Sequence, residues 1–276
     1  MAVAGRVDLR PLGTDDAELV AALHNEAFSD YAIPAVLDAS SLAFYMDETD
    51  VRPDLSHLAV VDGVPAAFCL GAVRGSEGSI RGEGTAPAYR RRGLGRQVLE
   101  LTLEGIAAAG ATRVVLEVLT PNRGAIALYE QAGFGIRRRL EGWSFRRPEG
   151  RLRGLRNPVH EVDPEWAVGL LEAWGYADAP WQMQPQSLLH VPAYALDDRA
   201  VAFGKQRGRR MWLYAFVVDP AQRRRGYGRG LLRGLPSPRL GIPSLMPEDW
   251  HGGVAFLEAL GAVRERYTQY EMVLDG

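Results

Sequence analysis

Apolar residues in the first half of the chain follow two different periods, which predict alternating strands and helices. The stretch from Leu58 to Val73 is broken by Asp62-Gly63, and this pattern predicts a β-hairpin with a two-residue turn. A third strand is expected over Ser79 to Pro87. After Gly95 the apolar residues recur at helical spacing, which predicts a helix that ends at Gly110.

The same reasoning extends to both sides of this region. A first helix is expected to end near Phe28, and a second to run from Ser40 to Asp47. A branched apolar strand over Thr112 to Leu119 precedes a short helix over Arg123 to Ala132. Gly135 to Arg147 has the pattern of a last strand pair. These elements predict an α/β fold with a mixed sheet.

The pattern returns in the second half of the chain. Arg223 to Gly228 repeats the residues Arg90 to Gly95, and apolar strands precede both segments. A duplicated fold explains this repeat most simply. We therefore expect a first domain over residues 1–147, a linker rich in Pro, Gly and Arg over 148–158, and a second domain over 159–276.

The segment Thr85 to Gln97 carries the clearest chemistry in the chain. A strand runs into a turn with Gly93 and Gly95, and a helix follows. The first N–H groups of a helix lack intrahelical partners, and glycines let a ligand approach the main chain, so an anion can bind there. Neighbouring arginines favour a diphosphate. For a lone glycine turn, a solvated basic face is the simpler interpretation.

Two other phosphate motifs fit this segment poorly. A nucleoside-triphosphate loop needs a lysine and a hydroxyl residue after its last glycine, and neither follows Gly95 at that place. The dinucleotide fingerprint needs a third glycine where Val98 stands.

The arrangement Arg90-Arg91-Arg92-Gly93-Leu94-Gly95 resembles the coenzyme A pyrophosphate motif of the GNAT N-acetyltransferase superfamily. The likeness continues through Leu116-Glu117-Val118, Asn122 and Ala125 to Glu130, and ends at Gly133-Phe134. This stretch is similar to the alanine N-terminal acetyltransferases of ribosomal proteins. The resemblance covers roughly Val7 to Arg147 and implies two tandem GNAT-like domains.

The resemblance also implies which residues bind acetyl-coenzyme A as co-substrate. Backbone groups on the strand would pair with the pantetheine arm, the glycine turn would hold the pyrophosphate, and an asparagine would contact the pantetheine. These positions are Glu83, Gly84, Thr85, Arg90, Arg91, Arg92, Gly93, Leu94, Gly95, Arg96 and Asn122. Otherwise Asn122 is simply a good helix N-cap.

Acetyl transfer to an amine needs a base, because an amine is mostly protonated at neutral pH. Glu117 is the only acid in its apolar strand, and a salt-bridged carboxylate is an equally good interpretation from the residues alone. The resemblance favours Glu117 as base, with Glu83 as the fallback. It also places Tyr129 beside the leaving sulfur as the acid. Aromatic residues Phe28, Tyr31 and Tyr45 are candidates for the acceptor pocket or for ordinary core packing.

Composition narrows the setting further. Hydrophobic residues make up 47% of the 276 residues, and the net charge is −2, which gives no general attraction to nucleic acid or membrane. The single cysteine, Cys69, suits a reducing cytoplasm and favours buried packing. No apolar run is long enough to span a bilayer. We expect no metal, no nucleic-acid partner and no membrane partner, while the oligomeric state cannot be predicted from this sequence.

The second copy departs from the family pattern where chemistry is expected. Leu257 stands at the tyrosine position and Trp250 at the asparagine position. We therefore expect an N-acetyltransferase whose first domain transfers acetyl from acetyl-coenzyme A to a primary amine of a small molecule or peptide. A non-catalytic acyl-coenzyme A binding or regulatory module is the alternative.

Overall fold

The hairpin expected between Leu58 and Val73 is present at the centre of the first sheet in the computed structural model. Its turn residues Asp62 and Gly63 both have positive φ, as a two-residue turn between twisted strands requires. The structure describes residues 5–13, 15–31, 36–150 and 158–276.

The chain forms two units. The first contains residues 1–137 together with 271–276, and the second contains residues 138–270. Most of the expected linker over 148–158 lies outside the described residues, which omit 151–157.

The elements of the first half, in chain order, are β1 (Val7–Pro11), α1 (Ala17–Ala27), α2 (Ala39–Glu48), β2 (His57–Val61), β3 (Val64–Arg74), β4 (Glu77–Thr85), α3 (Leu94–Ala108), β5 (Arg113–Leu119), α4 (Arg123–Gln131) and β6 (Gly135–Arg146). Those of the second half are β7 (His160–Val162), α5 (Pro164–Ala173), α6 (Pro185–Leu188), β8 (Ala193–Leu196), β9 (Ala200–Arg207), β10 (Arg210–Val218), α7 (Tyr227–Gly234), β11 (Arg239–Pro247), α8 (His251–Ala259), β12 (Val263–Arg264) and β13 (Gln269–Asp275).

In the first unit the strand order is β1-β2-β3-β4-β5-β13. The pairs from β1 to β4 are antiparallel, whereas β4 and β5 are parallel. The last strand of the chain thus completes the sheet of the first unit, which includes residues 271–276. Apolar side chains of α1 and α2, such as Leu23 and Leu42, pack on Phe68 on one face of this sheet.

The second unit repeats this topology. Its strand order is β7-β8-β9-β10-β11-β6, and β10 and β11 form the parallel pair. The glycine turns also match in backbone conformation, because Arg91 and Gly93 have φ of 61° and 85° while Arg224 and Gly226 have 65° and 90°. The mixed α/β fold and the internal repeat expected from the sequence are confirmed.

One predicted element is wrong. Gly135 to Arg147 was expected to form a strand pair, but the structure has the single strand β6 over Gly135–Arg146. Gly142 does not make a turn there. A Cβ at Gly142 would lie 2.8 Å from the Ser244 hydroxyl oxygen, so glycine at this position lets a neighbouring side chain approach the strand.

Candidate active site

A cavity of about 800 Å³ opens beside the first glycine turn. Its walls are the end of β4, the turn before α3, the start of α4 and the end of α1. The neighbouring strands β4 and β5 separate beside this cavity, because their parallel pairing ends at Ile80 and Leu116. Many residues expected from the sequence to contact the co-substrate line this cavity: Glu83, Gly84, Thr85, Arg90, Arg91, Gly93, Leu94, Gly95, Arg96 and Asn122.

The glycine turn presents the start of α3 to the cavity. Gly93 is the N-cap residue with left-handed φ, and no side chain caps the helix, so its first N–H groups are free to bind an anion. A Cβ at Gly93 would point into open space, with only the Gln97 amide nitrogen near, at 3.8 Å. A Cβ at Gly95 would instead lie 2.8 Å from the Glu83 carboxylate, so glycine lets the helix approach β4 closely.

The four arginines of this turn have different environments. Arg90 donates to both oxygens of Asp30, at 2.6 and 2.8 Å, and to the carbonyl of Ala27 at 2.8 Å. Arg96 pairs with Glu100 at 2.7 Å. Arg92 lies over the ring of Tyr89 and is not among the residues that line the cavity. Among the described residues, Arg91 has no carboxylate partner, which makes it the cation best able to meet a phosphate.

Glu83 is a buried acid that lines the cavity. Burial raises the pKa of Glu83 to about 7, while the Thr85 hydroxyl and the charge of Arg90 act in the opposite direction. The Thr85 hydroxyl lies 3.5 Å from the Glu83 carboxylate. A carboxylate with this pKa can accept a proton near neutral pH, which is the property a general base needs.

Tyr129 lies on α4 and is buried. Burial raises the pKa of its hydroxyl well above the ordinary value, and nearby Glu83, Cys69 and Tyr31 raise it further. The phenol therefore remains protonated and can act as a proton donor. Its ring packs edge-on against Phe134, with centroids 6.0 Å apart. Tyr129 itself is not among the residues that line the cavity.

Glu117 has a different environment from Glu83. Its carboxylate forms an ion pair with Arg81, with 2.6 Å between Nη1 and Oε2, and both side chains are buried. Glu117 does not belong to the lining of the cavity. The sequence analysis did not identify Arg81 as a residue near the site. A basic residue two positions before Glu83, in a strand rich in small residues, is the signal that could have drawn attention to it.

Two further predicted residues support the cavity wall. Asn122 caps α4, because its side-chain oxygen accepts a hydrogen bond from the Ala125 N–H at 3.3 Å. Tyr31 lines the cavity, and burial raises the pKa of its hydroxyl, partly offset by its hydrogen bond with Asn122. Asp30, which holds Arg90, was not expected from the sequence. Burial also raises the pKa of the Cys69 thiol, so the reactive thiolate is disfavoured.

The corresponding cleft of the second unit is filled by apolar side chains. Counting from the repeated turn, Phe216 stands where Glu83 stands in the first unit. Its ring packs on Phe256 with centroids 5.6 Å apart. A Cβ at Gly228, the counterpart of Gly95, would lie 3.3 Å from the Phe256 ring. Leu257, at the tyrosine position, is fully buried.

Neither a metal centre nor a membrane helix is found in the described part of the chain. Within these residues no three His, Cys, Asp or Glu side chains are grouped as metal ligands. No helix of the described ranges combines the length and the apolar character that crossing a bilayer requires.

Known proteins resemble this chain in both sequence and fold. The profile of the Acetyltransferase (GNAT) family matches residues 19–134 and again 156–235. [Ribosomal protein bS18]-alanine N-acetyltransferase of Escherichia coli is 38% identical over 73 residues, which cover 26% of this chain and 49% of that protein. Mycothiol acetyltransferase of Beutenbergia cavernae is 34% identical over 131 residues, covering 46% of this chain and 44% of that protein.

The chain thus spans about half the length of these curated relatives. Among solved structures, a putative acetyltransferase from Pyrococcus horikoshii superimposes with a TM-score of 0.70 at 18% identity, covering 100% of this chain and 91% of that one. At that identity the similarity concerns the fold.

Proposed function

The chain belongs to the acetyltransferase (GNAT) family, and from this we propose that its first unit transfers the acetyl group of acetyl-coenzyme A to a primary amine. One observation carries the proposal: the same cavity is lined by an uncapped helix start and by a buried carboxylate with a pKa of about 7. The first feature suits a diphosphate, and the second suits removal of a proton from an ammonium group.

The residues present fit acetyl-coenzyme A as co-substrate. The main-chain N–H groups after Gly93 and the guanidinium of Arg91 would hold the pyrophosphate, since open space lies in front of that turn. The part of β4 from Glu83 to Thr85, which β5 does not pair with, would form hydrogen bonds with the amides of the pantetheine arm. Asn122 contributes to the same wall. When bound, the co-substrate supplies the thioester.

Glu83 and Tyr129 would handle the protons of the reaction. Glu83 takes a proton from the acceptor ammonium, which frees the nitrogen lone pair to form the new N–C bond. The C–S bond would then break as Tyr129 gives its phenolic proton to the departing sulfur, and the resulting phenolate would take the second proton from the acylated nitrogen, which leaves a neutral amide and restores the phenol. We favour Glu83 over Glu117 as the base, because Glu83 lines the cavity whereas Glu117 is ion-paired to Arg81 outside it.

The acceptor is proposed only as a primary amine of a peptide or small molecule. The relative from Escherichia coli is named for the alanine of a ribosomal protein, and that from Beutenbergia cavernae for mycothiol. Both names motivate a panel that includes a peptide with an N-terminal alanine and small amines. Aromatic residues Phe28 and Tyr31 line the cavity on the α1 side and would contact such an acceptor.

The test is release of free thiol from acetyl-coenzyme A by the purified chain in the presence of each amine. Amine-dependent release that disappears in the Glu83→Gln variant supports the proposal. Binding of the co-substrate without release across the whole panel would favour a non-catalytic acyl-coenzyme A binding or regulatory module instead.

A further inference from the structure

A buried ion pair bridges β4 and β5 at the point where the two strands separate. The last paired residues of these parallel strands are Ile80 and Leu116, and the next residue on each strand is Arg81 and Glu117. Their side chains meet at 2.6 Å, with exposed fractions of only 1% and 6%. Beyond Ile80 and Leu116 the two strands are therefore connected by this ion pair and no longer by main-chain pairing.

Further contacts hold Arg81 in place. The register between β3 and β4 shifts here, from Leu70 opposite Gly82 to Gly71 opposite Ile80, so that Arg81 is the extra residue of a β-bulge. The hydroxyl of Tyr45 on α2 donates to the Arg81 carbonyl at 2.6 Å. The guanidinium in turn donates to the Tyr45 hydroxyl at 3.4 Å and to the Ser79 hydroxyl at 3.3 Å.

Stability alone does not explain this pair. Arg81 Nε and Glu117 Oε1 are buried and have no hydrogen-bond partner among the described residues. Unsatisfied buried polar atoms are costly, and apolar side chains of similar volume are often as stable as a buried ion pair or more so. Its location offers a reason, because Glu83 and Leu119, two residues further along each strand, line the cavity.

We propose that the Arg81–Glu117 pair, anchored by Tyr45, sets the gap between β4 and β5 into which the thioester end of the acetyl donor fits. Arg81 and Glu117 are then positioning residues, which act through the placement of Glu83 and the strand edge. This inference rests on the proposed function of the cavity. It assigns Glu117 a structural task in the reaction and leaves proton removal to Glu83.

The first experiment replaces both charges with apolar side chains of similar length, as Arg81→Met with Glu117→Leu in the full chain. Coenzyme A binding is measured by calorimetry without any acceptor, and thermal unfolding is recorded alongside. We expect the Kd to rise about tenfold while the unfolding midpoint stays the same or increases. A double variant that binds coenzyme A as tightly as the unchanged chain would overturn the inference.

A matched control comes from another ion pair of the first unit. Arg10 and Asp16 lie 2.6 Å apart, and neither lines the cavity. Arg10→Met with Asp16→Asn should leave the Kd for coenzyme A unchanged. An equal loss of affinity in this control would mean that general loosening of the unit causes the effect, and the inference would fail.

The pH profile separates positioning from catalysis. In Glu117→Gln the amide oxygen can still accept the bond from Arg81, so we expect a moderate rise in KM for acetyl-coenzyme A and an unchanged rise of kcat with pH near 7. Loss of that rise, with unchanged affinity, would make Glu117 the base and overturn the inference.

Tyr45→Phe extends the test if the double variant does not fold. This change removes only the hydroxyl that holds the Arg81 carbonyl, and it should raise the Kd about threefold; an unchanged Kd would contradict the inference. If the unchanged chain binds no coenzyme A, the proposed function fails as well. If the unchanged chain binds coenzyme A and the variants bind it equally tightly, the inference fails and the proposed function is unaffected.

Discussion

At the scale of single residues, Glu83 and Glu117 show how environment separates two acids on neighbouring strands. Glu83 is buried beside a cavity, its carboxylate accepts a long hydrogen bond from the Thr85 hydroxyl at 3.5 Å, and its pKa is raised to about 7. Glu117 is buried beside a guanidinium at 2.6 Å. The raised pKa of Glu83 lets its carboxylate accept a proton near neutral pH, where an amine acceptor has to be deprotonated. The Glu117 carboxylate is instead held in its ion pair with Arg81.

Glu83→Gln should lower kcat by roughly 10²-fold or more, because the amide cannot accept the proton. In the unchanged chain kcat should rise with pH as Glu83 loses its proton, with a midpoint near 7, and the variant should lack this rise. Acetyl transfer measured from pH 5.5 to 9 checks both statements. A variant that keeps the pH-dependent rise would assign the base elsewhere.

The same pKa has a consequence for stability. The folded state holds the Glu83 proton more tightly than the unfolded state, so stability falls as the pH rises from about 4.5 to about 7. Above that window the buried charge costs up to about 3 kcal/mol, and Glu83→Gln should recover part of it. Urea unfolding at pH 5 and pH 8 measures this, and the variant should gain stability only at the higher pH. An equal change in the free energy of unfolding at pH 5 and at pH 8 would contradict this interpretation.

Tyr129→Phe should lower kcat by about 10²-fold while coenzyme A affinity stays nearly unchanged, because only the proton donor is lost. Calorimetry and steady-state kinetics on the same preparations separate the two effects. Tyr176→Phe, at a tyrosine of the second unit that does not line the cavity, is a suitable control and should leave turnover near its original value. Lost affinity with unchanged turnover would refute the role of Tyr129 as acid.

At the scale of elements, the two glycine turns provide a controlled comparison. Gly93 and Gly226 have φ of 85° and 90°, so valine strains both backbones to a similar degree. Gly93→Val should weaken coenzyme A binding at least tenfold, because the side chain would occupy the phosphate position. Gly226→Val should leave the affinity unchanged, and calorimetry on both variants tests this. Equal losses of affinity in the two variants would indicate that backbone strain weakens binding, and not a side chain that blocks the phosphate site.

Most elements of the first unit could be predicted from local pattern. The hairpin, the glycine turn and the helix from Leu94 to Ala108 are each indicated by turn residues or apolar spacing within the element itself. β6 could not be predicted as one strand, because the glycine at 142 accommodates a side chain from a distant element. The Arg81–Glu117 pair joins residues that are far apart in sequence, so no local pattern reveals it.

At the scale of the whole molecule, the two units differ in what fills the equivalent cleft. Glu83 and Tyr129 in the first unit correspond to Phe216 and Leu257 in the second, and Phe216 and Phe256 pack together there. We expect one coenzyme A per chain in calorimetric titration, bound to the first unit. A stoichiometry of two, or binding that survives Gly93→Val, would show that the second cleft can open.

The return of β13 to the first unit has a consequence for the order of folding. Met272 on that strand is fully buried, and Glu271 pairs with Arg137 at 3.1 Å. During synthesis the segment from Gln269 to Asp275 leaves the ribosome long after residues 1–137. Until then, the strand β5 of the unit with the candidate active site lacks its neighbour β13. A nascent chain that stalls before this segment would therefore keep an unpaired strand edge at β5.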